Sequence, residues 1–179
     1  MNDTLHVVQP FWKPVDWTSF DVIRRIRRLT KIRKVGHAGT LDPFAEGVLV
    51  LCFGSATKLT AEIMTWKKEY MATVTLGTAT DTLDRTGRVI ERMAVPTVSL
   101  QEVENVSESF VGTIMQVPPM YSALRVGGKR LYELARAGQQ IERDARPVEI
   151  YEMEVVDWCP PEQLGLRISC GKGTYIRVL

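Results

Sequence analysis

The residue best placed to do chemistry is an aspartate in a short loop. Asp42 lies in the stretch GHAGTLDP (residues 36–43), which follows a very basic segment and precedes a strongly apolar one. A carboxylate at such a bend can act as a nucleophile or as a general base. Aspartate before proline is also a frequent turn former whose oxygens only accept hydrogen bonds from nearby backbone amides. The local sequence leaves both interpretations open.

The basic segment indicates what the acid could act on. Seven cations occur in eleven residues with no acid among them, so that the rest of this +2 chain is net negative. A concentrated positive patch on a mildly acidic body favours a polyanionic partner bound through its phosphates, although a solvated helix face is the alternative. The cations are Arg24, Arg25, Arg27, Arg28, Lys31, Arg33 and Lys34.

Three further residues are weak candidates when taken alone. His37 shares the loop with Asp42 and could stack on an unpaired base, or serve only a structural purpose. Tyr70 lies at the start of an alternating segment, where aromatic residues usually pack. Arg177, in the stretch GTYIR, could pair with a buried carboxylate. The sequence contains no P-loop, no GxSxG motif, no HExxH motif and no kinase signature.

Composition limits the class of protein. The 179 residues are 45% hydrophobic and 25% charged, as expected for one globular domain over residues 1–179. Three widely spaced cysteines predict neither a zinc site nor a disulfide framework. No run approaches the length of a membrane helix, and the first residues do not resemble a signal peptide. We therefore expect a cytoplasmic protein.

The hydrophobic pattern predicts an α+β fold with a mixed, largely antiparallel sheet flanked by helices. Strands outnumber helices, and hairpins dominate. Helices are predicted at 19–30 (capped by Thr18 or Ser19), 55–66 (capped by Ser55), 100–110 and 129–137; strands at 47–53, 68–78, 88–91, 111–117, 147–157 and 164–170; and turns at 81–87, 127–128 and 160–161.

Several stretches, in order along the chain, resemble one family. Residues 12–19, WKPVDWTS, are similar to a KPxGxTS motif, and residues 34–49, KVGHAGTLDPFAEGVL, match the family's catalytic motif without a gap. Residues 76–87, LGTATDTLDRTG, resemble its LGxxTDTxDxxG segment. The stretches 117–138 and 171–177 match the segments that follow. The family is the TruB family of tRNA pseudouridine synthases.

The resemblance implies a pseudouridine synthase catalytic fold that isomerises uridine 55 in the T-loop of tRNA. Asp42 falls on the aspartate that attacks the flipped-out uridine, whose N1–C1′ bond breaks and whose uracil rejoins through C5. Tyr70 falls on a tyrosine that stacks on the target base and helps to remove the C5 proton. Arg177 falls on an arginine that pairs with the catalytic aspartate, and Tyr175 on its pocket-lining neighbour.

The remaining implied roles concern binding. His37 matches a histidine that fills the space left by flipped T-loop nucleotides, and Lys58 matches a lysine near the active site. Four basic residues are expected to contact tRNA phosphates: Arg24, Arg27, Arg28 and Lys31. The resemblance implies no cofactor, no metal, no membrane and no obligatory protein partner, and we expect a monomer that binds the tRNA T-arm.

Two departures from the family pattern carry expectations. Asp16 replaces the glycine of KPxGxTS, and aspartate is among the better non-glycine residues at positive φ. The chain stops at Leu179, before a helix that completes the pocket and a C-terminal RNA-binding PUA domain, so we expect a C-terminally truncated catalytic domain. The alternative function is a catalytically incomplete tRNA-binding or tRNA-folding module. A guide-RNA-dependent relative is a third hypothesis, but the segment at 117–138 looks more like the stand-alone bacterial form.

Overall fold

The computed structural model describes residues 5–179, and the chain divides into two compact units at Trp66/Lys67. Helices and antiparallel strands make up both units, which confirms the predicted α+β class. Every strand pairing among the described residues is antiparallel, and the strands form separate sheets rather than one mixed sheet. The single catalytic domain over 1–179 stays a prediction.

The first unit is a three-stranded sheet with one long helix. Its strand order is β1-β3-β2, and β3 is central. Alternate β3 residues (Leu49, Leu51 and Phe53) pack against α1, and Cys52 packs on the opposite face. The elements are β1 (Val8–Lys13), α1 (Ser19–Thr30), β2 (Val35–His37), β3 (Gly47–Phe53), a 3-10 turn (Gly54–Leu59) and α2 (Thr60–Ile63).

The basic helix forms where it was predicted. Thr18 caps α1: its hydroxyl accepts from the Asp21 amide, and the Asp21 carboxylate accepts from the Thr18 amide. Lys31 ends the helix at φ 62°, so the last basic residues of the segment lie outside it.

Of the helix predicted at 55–66, only Thr60–Ile63 is α-helical. Gly54 stands at φ +57°, and Ser55 lies inside a 3-10 turn whose N-cap residue, Phe53, makes no side-chain cap. Thr57 donates its hydroxyl to the Gly54 carbonyl, and Thr60 donates to the Thr57 carbonyl. Such local bonds from threonine compete with the helical ladder, so a 3-10 turn precedes one short turn of α-helix.

The second unit is a four-stranded sheet in the order β4-β11-β10-β7. One face of the sheet packs against α3 around a buried cluster that includes Val103, Ile150, Leu166 and Ile168. The elements are β4 (Lys68–Thr75), β5 (Thr78–Thr80), β6 (Val89–Arg92), α3 (Leu100–Glu108), β7 (Gly112–Gln116), β8 (Arg125–Val126), β9 (Lys129–Arg130), α4 (Leu131–Arg136), β10 (Arg146–Cys159), β11 (Gln163–Cys170) and a 3-10 turn (Ile176–Val178).

Several predicted boundaries in this unit are wrong, and two of the errors occur at glycines. The strand at 68–78 breaks at Gly77, which stands at φ +74°, so the hairpin strand β6 pairs with β5 and not with β4. The helix at 129–137 begins two residues later because β9 pairs with β8 across the Gly127-Gly128 turn. The hairpin of β10 and β11 is confirmed.

Candidate active site

The backbone is fixed on both sides of Asp42. The loop of residues 38–46 joins β2 to β3. Before Asp42, the Leu41 amide donates to Ser19 Oγ at 3.0 Å, and Ser19 Oγ donates back to the Leu41 carbonyl at 3.3 Å. After Asp42, the Pro43 carbonyl accepts from the Asp16 amide at 2.8 Å. Two neighbouring segments of the first unit thus hold the candidate nucleophile between them.

Lys13 also supports this loop, although it was not among the functional residues predicted from the sequence. Its side chain is fully buried, and its ammonium donates to the carbonyls of Trp17, Pro14 and Pro43 at 2.6, 2.9 and 3.2 Å. Burial lowers the pKa of Lys13, while nearby carboxylates, Asp42 among them, oppose that shift. The lysine therefore fixes the loop and lies in the electrostatic field of Asp42. Its place in the KPxGxTS-like motif was the available signal.

Asp16 adopts the conformation that its glycine-like position demands. Its φ is 64°, in the left-handed region that short polar side chains tolerate best. This backbone shape directs the Asp16 amide to the Pro43 carbonyl. The expectation that aspartate can replace glycine here is confirmed for the backbone geometry.

His37 ends β2, opposite Leu51. Burial lowers the pKa of its imidazole, and a hydrogen bond with the Gly39 backbone opposes that shift without cancelling it. Its Nδ1 is buried without a hydrogen-bond partner. A neutral ring suits base stacking, but that role stays a prediction.

The four basic residues predicted to contact phosphates differ in their solvent exposure. Arg24, Arg28 and Lys31 are exposed on or beside α1, although Arg24 also pairs with Asp21 at 2.5 Å. Arg27 is half-buried and donates from Nη2 to the Val35 carbonyl at 2.8 Å, so part of its capacity is used within the fold. Lys58, in the 3-10 turn, is also exposed.

In the second unit, Arg177 forms a buried ion pair with Asp84. Nη1 lies 3.2 Å from Asp84 Oδ2, and the two side chains are only 8% and 5% exposed. The guanidinium also donates to the carbonyls of Tyr121 and Thr82, at 2.5 and 3.4 Å. Within this unit Arg177 therefore contacts the buried carboxylate of Asp84, which sequence reasoning did not select, and its pairing with Asp42 stays a prediction.

The Asp84 carboxylate has a dense set of donors. Burial alone raises the pKa of this carboxyl, but hydrogen bonds from Thr86 and Thr82 and the charge of Arg177 outweigh burial and lower it. Asp84 is thus an ionised anchor in the turn predicted at 81–87. Its position in the LGxxTDTxDxxG-like segment was the signal that could have found it.

Tyr70 and Tyr175 lie at different places in the same unit. Tyr70 is on β4, opposite Ile168, and packs partly buried against the core. Tyr175 precedes the final 3-10 turn and is half-exposed, with the Arg146 guanidinium 5.5 Å from the centroid of its ring. The structure therefore places Tyr175 directly beside the turn that carries Arg177.

A family model described as "TruB family pseudouridylate synthase (N terminal domain)" matches residues 27–176. The chain belongs to the TruB family. It is 50% identical over 179 residues to tRNA pseudouridine synthase B of Clostridium novyi (strain NT), covering all of this chain and 60% of that protein. It is 46% identical over 167 residues to the protein of the same name from Caldanaerobacter subterraneus subsp. tengcongensis, covering 93% of this chain and 59% of that protein. The chain thus spans about 60% of the length of these TruB relatives.

Solved structures agree with the TruB assignment at the level of fold. A chain of the crystal structure of a Cbf5-Nop10-Gar1 complex has a TM-score of 0.70 and 27% identity, over 96% of this chain and 41% of that chain. A second, from an H/ACA RNP bound to a substrate RNA containing 2′-deoxyuridine, has a TM-score of 0.65 and 24% identity, over 96% and 39%.

Within residues 5–179, no group of three or more His, Cys, Asp or Glu side chains could hold a metal ion. No helix in the same range is long and apolar enough to cross a membrane.

Proposed function

We propose that this chain isomerises uridine 55 in the T-loop of tRNA to pseudouridine. The observation that carries the proposal is the doubly fixed backbone around Asp42, in a chain of the TruB family. Relatives named tRNA pseudouridine synthase B, matched over the whole chain, support the substrate. A turn-forming aspartate needs no such anchoring on both flanks, whereas a nucleophile must be held in one geometry.

In the proposed reaction the ionised Asp42 carboxylate attacks the flipped-out uridine. The attack forms a bond between the carboxylate and the uridine, the N1–C1′ bond breaks, and the uracil turns within the pocket. The C5–C1′ bond then forms as the bond to Asp42 breaks, which releases the carboxylate. The C5 proton leaves with the help of Tyr70, and N1 gains a proton, so atoms and charge balance without an oxidant or a cofactor. Tyr175 lines the pocket.

Arg177 is proposed to stabilise the charge that develops at the reacting groups. A guanidinium can serve this purpose only if its orientation is fixed. Asp84 and the Tyr121 carbonyl supply that orientation within the second unit. We propose Asp84 as the residue that positions Arg177, and direct pairing of Arg177 with Asp42 as the family-based expectation.

Binding must offset the cost of extruding the nucleotide, which is a few kcal/mol. Exposed Arg24, Arg28 and Lys31 are proposed to contact phosphates, with Arg27 supporting the helix and Lys58 nearer the reacting base. Stacking on the neutral ring of His37 contributes further stabilisation of the open loop.

Tritium release from a [5-³H]uridine-labelled tRNA transcript tests the proposal. The chain should release tritium in stoichiometric amounts from the T-loop, and Asp42→Asn should release none. A filter-binding measurement of both proteins provides the control for RNA affinity. Release no greater than that of Asp42→Asn, with binding intact, would replace the enzyme by a tRNA-binding or tRNA-folding module.

We further propose a cytoplasmic monomer that needs no protein partner or guide RNA. The proteins in the neighbouring solved structure are assembled as a Cbf5-Nop10-Gar1 complex. Tritium release by the purified chain alone, at a mass of one chain in solution, is the expected result. Activity that required added guide RNA and proteins would contradict it.

A further inference from the structure

The side chain of Gln116 holds the backbone of Tyr175 by two hydrogen bonds. Gln116 is the last residue of β7 and is only 4% exposed. Its Oε1 accepts from the Tyr175 amide at 2.8 Å, and its Nε2 donates to the Tyr175 carbonyl at 3.1 Å. The amide thus supplies the pair of bonds that a neighbouring strand would supply. Only this orientation of the amide gives both groups a partner.

Arg146, which faces Gln116 across the sheet, holds the same segment at two other points. It begins β10 and pairs in register with Gln116. Its Nη2 donates to the Gly173 carbonyl at 3.0 Å, and its guanidinium lies 5.5 Å from the centroid of the Tyr175 ring. Gly173 stands at φ +79°, a conformation that favours glycine.

The held segment leads directly into Arg177. The Tyr175 carbonyl also accepts from the Val178 amide at 3.0 Å, which closes the 3-10 turn. Arg177 lies inside that turn, and its guanidinium must meet Asp84. Any shift of the Tyr175 backbone therefore moves the ring of Tyr175 and the start of the Arg177 side chain together.

We infer that Gln116 and Arg146 are a positioning pair that sets the geometry of Tyr175 and Arg177 for the reaction. The inference rests on the proposed function for its catalytic consequence. Neither residue needs to touch the uridine. The pair acts through the backbone and ring of Tyr175, and both residues lie at the paired ends of β7 and β10 in the four-stranded sheet.

Gln116→Glu tests the two hydrogen bonds with a side chain of nearly the same shape. At about pH 7.5 an ionised glutamate still accepts from the Tyr175 amide, but it cannot donate to the Tyr175 carbonyl. It would also draw away Arg146, the cation that faces it on β10, and attract Arg177 beyond Tyr175. The variant should therefore lose kcat on the order of tenfold.

Matched variants separate positioning from folding. Met115→Glu adds the same carboxylate one residue earlier, at a side chain that is 64% exposed, and its kcat should stay close to that of wild type. Gln116→Met, which neither donates nor accepts, should also lose kcat, with KM for tRNA changing less than kcat. The melting temperature of each variant identifies any loss of kcat that follows unfolding. A loss of kcat in Gln116→Glu no larger than that in Met115→Glu overturns the inference.

Hydrogen exchange of the Tyr175 amide gives a readout that does not depend on activity. In ¹⁵N-labelled protein this amide should exchange on the order of tenfold faster in Gln116→Met than in wild type. If wild type releases no tritium, the proposed function fails, and this measurement alone decides whether Gln116 fixes the Tyr175 backbone. Unchanged exchange in Gln116→Met overturns the inference in either case.

Discussion

The buried pair of Asp84 and Arg177 can be broken without disturbing the other contacts of the carboxylate. Oδ2 contacts Arg177 at 3.2 Å, whereas Oδ1 accepts from Thr82 Oγ1 at 2.9 Å and from Thr86 N and Oγ1 at 2.9 and 2.5 Å. Asparagine at 84 keeps the oxygen that serves the threonines and places an NH₂ group against the guanidinium. Asp84→Asn therefore removes the ion pair alone.

The expected cost follows from burial. With side chains 5% and 8% exposed, solvent can replace little of the lost interaction. Removing one partner of a buried pair costs about 3–5 kcal/mol, because the other charge stays buried. Arg177 retains the carbonyls of Tyr121 and Thr82, so we expect the lower end, about 3 kcal/mol of the free energy of unfolding. Thr86→Val, which keeps the pair and loses one hydroxyl bond, should cost about 1 kcal/mol.

Urea unfolding as a function of pH is the assay. Hydrogen bonds and Arg177 lower the pKa of the Asp84 carboxyl against the opposing effect of burial. A depressed carboxyl pKa contributes stability that is present above the unfolded-state pKa and is lost as pH falls through the folded-state value. The deficit of Asp84→Asn should be full at about pH 7 and shrink below about pH 4. A deficit equal at both pH values, or no larger than that of Thr86→Val, would refute the reasoning.

Three further changes test the first unit. Lys13→Met should lower the free energy of unfolding by about 3 kcal/mol, because it leaves buried carbonyls without a donor. Calorimetry measures this loss, and a stability equal to that of wild type would show that the Lys13 hydrogen bonds do not stabilise the fold. Ser19→Ala should lower the free energy of unfolding, measured by urea unfolding, by about 1–2 kcal/mol. It should also lower kcat more than tRNA affinity, since it releases the loop on one side of the candidate nucleophile. A change in affinity alone would argue against a role of Ser19 in positioning Asp42. Replacing the exposed Arg24, Arg28 and Lys31 by alanine should weaken tRNA binding and reduce the slope of log K against log salt by about 2–3. An unchanged slope would show that these side chains do not meet phosphate.

The sequence correctly predicted those helices and strands for which several local signals agreed. The helix at 19–30 had a capping threonine, an acid in its first turn and an apolar residue at every third position, and the structure has these features. The failed helix at 55–66 had only one plausible cap. There, Thr57 and Thr60 bond the backbone locally, and composition alone does not reveal whether such residues serve a helix or a 3-10 turn.

The sequence did not predict which residues contact each other across long separations in the chain. Asp84 and Arg177 are 93 residues apart, and nothing in either local stretch identifies the other. Lys13 is a similar case, because a lysine after an apolar strand is usually exposed, and only the fold brings the Pro43 carbonyl to it from 30 residues away. The family resemblance predicted Asp42, Tyr70 and Arg177 as catalytic residues, but it did not predict the residues that position them.

The separation of Asp84 from Arg177 has a consequence for how the protein is made. Ribosomes add about 5–20 residues per second, so the carboxylate precedes its guanidinium by roughly 5 to 20 seconds. During that interval the threonine bonds to Asp84 can form, but the charge has no partner and favours contact with water. The Asp84–Arg177 ion pair therefore forms late, after the β10–β11 hairpin has been synthesised.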